Sequence, residues 1–417
     1  MSPDRVVSAR SANNWKRSFF AIWTGQQFSL IGSSLARFAL VWWVTESTGS
    51  ATALASASLI SLLPGVLLGP FVGALVDRRD RRVVLIVADS FVALVSAWLA
   101  YLFWVDAIQI GHVYVVMLLR AVGSTFHWTA MIASTPRMVP EEHLSRVAGL
   151  NRTIQGAVGI LSPPLGALLL GLIPLHRIMA IDVVTAAFAV VPLFFVSIPG
   201  LARSTAEAST SSLWADTRAG FRYAWSWPGL RAIILLGTVV NLLINPAMSL
   251  LPILVTQHFG GGALQLGWLN SSWGVGLVVG GLIMSAWSGF RRRIVTTLVG
   301  IAGLGFGVLL TGLAPASSIW PALFGLFFGA AMNAMSNAAL VALLQQSIAP
   351  EMQGRVFALG GSLANAATPL GMAIAGPLVD AIGVRTLYVV VGVLYVLVGV
   401  GAFSVPAIVR FGEDPGL

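Results

Sequence analysis

The chain has 417 residues, of which 57% are hydrophobic and only 9% charged. That is far too apolar for a soluble globule, and the absence of cysteine excludes disulfides and thiolate metal sites. The net charge of +9 invites a nucleic-acid reading, but the basic residues recur in alternate loops rather than on one face, so no nucleic-acid partner is expected.

The first residues are polar and basic (Arg5, Arg10, Lys16, Arg17), and no small-residue cleavage site precedes the first apolar run, so no cleavable signal peptide is expected. Apolar runs follow at roughly 18–44, 51–76, 83–104, 112–136, 149–171 and 178–198, each long enough to span a bilayer. The stretch Arg203–Ser212 is too polar to span. Six more runs lie at roughly 230–256, 263–288, 294–313, 317–345, 355–382 and 385–408. The predicted fold is an all-α membrane protein, twelve transmembrane helices in two six-helix pseudo-symmetric bundles. The bundles cover 1–200 and 230–417, joined by a linker at 201–229. Within the linker Leu213, Trp214, Phe221 and Trp225 make an apolar stripe opposite Asp216, Arg218 and Arg222. This is either an amphipathic helix on the inner leaflet or a helix packed under the bundle.

Arginines crowd the N-terminus and alternate loops, including Arg78, Arg79, Arg81, Arg82, Arg137, Arg146, Arg152, Arg291, Arg292, Arg293 and Arg355. The opposite loops hold only Arg177 and Arg385. By the positive-inside rule both termini are expected in the cytoplasm.

The densest of these loops joins the second and third runs: Gly73-Ala74-Leu75-Val76-Asp77-Arg78-Arg79-Asp80-Arg81-Arg82. So short a link makes its two helices antiparallel neighbours, and Gly73, Asp77, Arg78, Arg81 and Arg82 are expected to form a charge lock there. The loop resembles the signature of the major facilitator superfamily, G-x-x-x-D-R-x-G-R-R, with Asp80 where the signature has glycine. Aspartate tolerates left-handed backbone less freely, so the turn is expected to differ. The second half answers this loop only with Gly289-Phe290-Arg291-Arg292-Arg293, which has no aspartate. Other echoes are closer: Ser162-Pro163-Pro164-Leu165-Gly166 in the fifth span is matched by Thr368-Pro369-Leu370-Gly371 in the eleventh.

Polar groups inside the spans need a reason, because a buried charge costs at least about 2.5–3.5 kcal/mol. In the first span Gln26, Ser33 and Arg37 recur at helical spacing, and in the fourth Arg120, Ser124, His127 and Ser134 do the same. The two stripes line a shared aqueous cavity, or each arginine snorkels or ties a helix pair. Arg120, Arg37, Asp182, Glu46 and His127 are the candidates for proton coupling. Asp182 alternatively caps its helix near Arg177, and His127 is alternatively a plain interhelical contact. Asp89 is expected to pair with an arginine of the basic loops. In the second half Asn241, Asn245, Asn333 and Asn337 either orient a ligand, together with Gln26, Ser33 and Ser124, or serve as interhelical glue. Pro163 and Gly166 mark a hinge in the fifth span, which resembles the antiporter motif G-x-x-x-G-P-x-x-G-G of drug exporters in the superfamily.

Longer segments are similar to the macrolide-efflux branch of that superfamily: Asn14-Trp15-Lys16, Ile22-Trp23-Thr24-Gly25-Gln26, Val44-Thr45-Glu46-Ser47-Thr48-Gly49-Ser50, Ala180-Ile181-Asp182-Val183 and Gly354-Arg355-Val356-Phe357. The resemblance implies the major facilitator fold and export of a bulky amphipathic small molecule in exchange for protons, across the bacterial inner membrane, by a monomer without cofactor or metal. A lipid, lysolipid or siderophore transporter of the same fold is the alternative. His112, His127, His143, His176 and His258 lack metal or triad spacing, so an enzyme is not expected.

Overall fold

The computed structural model describes residues 15–196 and 213–412. Arg5, Arg10 and the polar stretch 203–212 lie outside them. Among the described residues twelve helices are long and apolar enough to cross a membrane. They are α1 (Trp15–Thr48), α2 (Ala51–Arg78), α3 (Arg81–Trp104), α4 (Ile110–Met138), α5 (Glu141–Leu172) and α6 (Leu175–Phe195). After the linker helix α7 (Leu213–Ser226) come α8 (Pro228–Ser249), α9 (Ala263–Trp287), α10 (Arg293–Leu313), α11 (Trp320–Ser347), α12 (Pro350–Ile382) and α13 (Val384–Gly401).

Several helices outrun their apolar stretches. The 34 residues of α1 rise about 50 Å, against about 30 Å of hydrocarbon, because backbone hydrogen bonding continues after the side chains turn polar. The seventh span is shorter than its apolar run. Pro252 has no N–H to donate, and α8 stops at Ser249; the chain goes on through a short turn, Leu251–Ile253, and a π-helical turn, Leu254–His258. Proline opens α8 at Pro228 and α12 at Pro350, where a missing N–H costs nothing.

The α2–α3 turn explains the aspartate in the basic loop. Asp80 is extended (φ −64°, ψ 114°) and its carboxylate accepts the Arg82 N–H at 2.9 Å, so it is the N-cap of α3. A left-handed residue is not needed there.

The described chain divides into two compact units, Met1–Trp43 with Ile60–Ser204, and Val44–Leu59 with Thr205–Leu417. In the first unit the end bearing the basic loop has a core drawn from all six helices, including Phe19, Ile22, Val72, Val76, Leu85, Ala130, Met138, Val147 and Leu193. Trp23 ties α1 to α5 by donating to Asn151 Oδ1 at 2.7 Å. In lipid such cores are held by close packing rather than by expulsion of water.

The second unit is built around α10. A Cβ on Gly307 would strike the Gly325 carbonyl, and one on Gly325 would sit 2.6 Å from the Gly307 carbonyl, so α10 and α11 touch backbone to backbone. The Tyr388 hydroxyl of α13 donates to the Ala247 carbonyl at 2.6 Å, and Tyr395 donates to Val240, closing α13 on α8. The sequence echo has a packing counterpart. A Cβ on Gly166 of α5 would meet Phe38 of α1 at 2.9 Å; one on Gly371 of α12 would meet the Leu242 carbonyl of α8 at 2.6 Å.

The end of α1 and the start of α2, Val44–Leu59, group with the second unit because α12 holds them. Asp380 accepts the N–H groups of Ala51 (2.8 Å) and Thr52 (3.0 Å) and the Ser50 hydroxyl (3.0 Å). Gly376 packs against Thr52 and Ala55 one turn earlier.

Candidate functional site

Two buried polar layers cross the first unit. In the layer nearer the basic loop, Asp89 of α3 is 6% exposed and Gln26 of α1 is 5% exposed. Gln26 Nε2 donates to Asp89 Oδ2 at 2.9 Å, and His127 Nδ1 of α4 lies 2.7 Å from Asp89 Oδ1. In the second layer Asp182 of α6, 1% exposed, accepts Ser33 Oγ of α1 and Ser96 Oγ of α3, each at 2.8 Å. Arg120 of α4 closes this layer with an ion pair to Asp182 and a hydrogen bond to Ser96.

The layers share one register. Gln26 and Ser33, Asp89 and Ser96, and His127 and Arg120 are each seven residues apart on their own helices. Seven residues are two helical turns, a rise of about 10 Å. The helix direction alternates, so the same spacing brings the residues together layer by layer. Arg37, one turn past Ser33, is exposed and makes no ion pair among the described residues, but it lies within electrostatic reach of Arg120 and Asp182. Counting formal charges, the Asp182 layer carries one carboxylate and two guanidiniums, and the Asp89 layer one carboxylate and a histidine.

Three expectations from the sequence are corrected here. Asp182 does not cap its helix beside Arg177; it is the centre of the Ser33–Ser96–Arg120 cluster. Asp89 does not pair with a loop arginine; it meets Gln26 and His127, and two of the loop arginines are held elsewhere. Arg81 Nη2 pairs with Asp77 at 3.1 Å and Arg81 Nη1 donates to the Ala133 carbonyl of α4 at 2.9 Å. Arg82 does not join Asp77 either: it binds the terminal carbonyls of α6, Leu193 and Phe194, the latter at 2.7 Å. Arg78 bonds no partner among the described residues, and Gly73 faces open space.

The remaining candidates are dispersed. Glu46 and Ser124 are exposed. Asn241 donates to its own helix at Gly237, whereas Asn245 reaches Thr368 of α12 at 2.8 Å. Asn333 and Asn337 bond each other at 2.8 Å. Pro163 is half-buried in α5, one turn before Gly166. An apolar cleft of about 470 Å³ lies between α3 and α4, lined by Val83, Val87, Phe91, Val122 and Phe126 with Arg79 at its edge. On α7 the exposed rings of Phe221 and Trp225 stack 4.6 Å apart; the Leu213 and Trp214 side chains lie outside the described residues.

A family model described as "Transmembrane secretion effector" matches residues 12–411. Macrolide efflux protein A of Streptococcus pyogenes is 32% identical over 388 residues, covering 93% of this chain and 96% of that protein. Multidrug efflux pump Tap of Mycolicibacterium fortuitum is 27% identical over 391 residues, covering 90% and 92%. Among solved structures, a bacterial homologue of the iron transporter ferroportin aligns over 92% of this chain and 98% of its own. Its TM-score is 0.71 at 14% identity, which is a likeness of fold.

Proposed function

The chain belongs to the transmembrane secretion effector family of the major facilitator superfamily, and on that premise we propose that it exports bulky amphipathic, macrolide-like compounds in exchange for protons. Likeness to a macrolide efflux protein and a multidrug efflux pump supports the substrate class. The observation that carries the proton half is an acid–base contact inside membrane-spanning helices, Asp89 with His127, beside a second buried charge pair, Asp182 with Arg120. A charge at a helix centre costs about 2.5–3.5 kcal/mol or more. A carrier that only passed a neutral amphiphile would gain nothing from that cost, whereas carboxylates beside bases can take up and release protons as access alternates.

In this reading the protein lies in the bacterial cytoplasmic membrane with both termini inside, following the arginine-rich loops. The halves 1–200 and 230–417 alternate access, with 201–229 as their linker. Asp77, Arg78, Arg81 and Arg82 gate the cytoplasmic side. Gln26, Ser33, Ser124, Asn241, Asn245, Asn333 and Asn337 contact the substrate.

The test measures drug accumulation in cells with and without the protein, across an amphipathic panel that includes macrolides, with and without a protonophore. Lower accumulation that the protonophore abolishes is the expected result. Equal accumulation across the panel removes export, and protonophore-insensitive export removes proton coupling.

A further inference from the structure

We infer that Asp89 and His127 are the pair that carries the coupled proton, with Gln26 positioning the carboxylate, and that the Asp182–Arg120 pair stays closed beside it as a fixed charge. This rests on the proton-exchange reading above and assigns its site.

The two layers differ in what they can do with a proton. Arginine does not deprotonate in proteins, so Arg120 offers Asp182 a permanent partner. That carboxylate is also saturated, with Ser33 and Ser96 donating to its two oxygens. Histidine is the side chain that changes charge near neutral pH. With Asp89 ionised, His127 Nδ1–H donates to Oδ1 at 2.7 Å, leaving the Nε2 lone pair to receive a proton. Uptake forms one N–H bond at Nε2 and converts imidazole to imidazolium. One O–H bond of the delivering hydronium breaks and leaves water, and the charge of the pair rises by one. The layer passes from net negative to neutral, and release is the reverse.

Gln26 supplies an independent observation. An ionised Asp89 accepts only donors, so the amide must turn Nε2 toward it, as the 2.9 Å contact records. The amide oxygen is then left buried without a protein donor. A buried acceptor beside a buried carboxylate is poorly suited to plain helix glue, which satisfies both ends of an amide. It suits a site where a donor group, such as hydronium, arrives and leaves.

The charged groups around the pair are few. On α1 the neighbours are Gln26 itself and, one turn away, Trp23, which is occupied with Asn151 of α5. On α4 the next charged residue away from the loop is Arg120, two turns from His127, with Asp182 of α6 and Arg37 of α1 about it. Toward the loop, Arg81 is held by Ala133 and Asp77 and Arg82 by the α6 carbonyls, while Arg79 lines the apolar cleft beside Ala88 and Phe126. Among the described residues no other charged group bonds Asp89 or His127.

Histidine-selective ¹⁵N spectra of the purified full chain read the site without transport. The signal lost in H127Q is expected to titrate and to shift its midpoint in D89N. A signal that does not titrate, or is indifferent to D89N, overturns the assignment. Should D89N fail to fold, D89E replaces it, with a shifted midpoint again expected. In vesicles, uptake of labelled erythromycin is followed under an imposed pH gradient and in gradient-free exchange. Wild-type exchange is expected to vary with pH, H127Q exchange to be flat, and D89N to lose gradient-driven accumulation. Gradient-driven accumulation that survives in both variants overturns this inference alone. A wild type that moves erythromycin but ignores the gradient overturns the coupling reading itself.

Discussion

Asp380, near the end of α12, accepts the N–H of Ala51 at the start of α2 at 2.8 Å, across 329 positions of chain. The same carboxylate accepts Thr52 N–H and Ser50 Oγ–H, while Ser50 Oγ in turn accepts the N–H of Ala53. The first turn of α2 is thus capped twice, once by its own serine and once by a carboxylate supplied from a distant helix. Negative charge at a helix N-terminus is favourable in itself.

Removing that second cap has a definite cost. D380A is expected to lower stability by about 1–3 kcal/mol, the range for a charge-assisted hydrogen bond left unmade. D380N keeps one acceptor and should lose less. Thermal unfolding of the three proteins in one detergent measures the order; equal midpoints would remove the capping role.

The Arg120–Asp182 pair makes a sharper prediction, because both side chains are buried, at 12% and 2% exposed. Truncation of one partner strands the other: R120A is expected to cost about 3–5 kcal/mol. R120A with D182A should recover much of the loss. Lysine is not a substitute for the guanidinium, since it is a point charge without the planar fork. A double variant no more stable than R120A alone would show that the pair is not the source of the effect.

Asp77 is the contrasting case. Its side chain is 69% exposed and its only ion pair among the described residues is with Arg81, four residues on. An exposed pair of this kind is worth about 0–1 kcal/mol, so D77N should unfold at nearly the wild-type temperature. The gate reading requires that D77N nonetheless abolish export. Wild-type efflux from a folded D77N protein removes Asp77 from the gate.

Contact between α10 and α11 depends on having no side chain at two positions. A Cβ on Gly325 would press on the Gly307 carbonyl at 2.6 Å and on Thr311 Oγ1 at 2.7 Å. Overpacking at such a contact typically costs about 1–3 kcal/mol, and G325V should do more harm than G325A. Gly281 of α9 has open space around its would-be Cβ and is the control: G281A should be close to neutral. The measurement is the thermal midpoint of each purified variant.

The twelve spans were largely legible because lipid demands long apolar runs with internally satisfied backbone, but the break in the seventh after Ser249 was not. Arginine-rich loops and the Ser-Pro-Pro-Leu-Gly echo were equally plain. Helix ends were less so: α1 runs to Trp15 and Thr48, because hydrogen bonding does not stop where hydropathy does. The polar stripe of Gln26 and Ser33, and that of Arg120 and His127, were both visible as helical periodicities. Which residue each would meet was not.

Periodicity along one helix gives a face but neither its rotation against a neighbour nor its height in the membrane. Asp89 illustrates the gap: the nearest arginines in sequence were those of the loop, yet Arg81 and Arg82 are spent on backbone carbonyls, and packing of α3 against α4 hands Asp89 to His127. A signal was present in the matched seven-residue steps of α1, α3 and α4, but it becomes meaningful only once those helices lie side by side. The order of apolar and polar residues along the chain therefore determined that this is a twelve-helix membrane protein with charges inside the spans of its first half. Helix packing decided which acid met which base, since contacts a few ångströms long depend on register and rotation that no single strand of sequence carries.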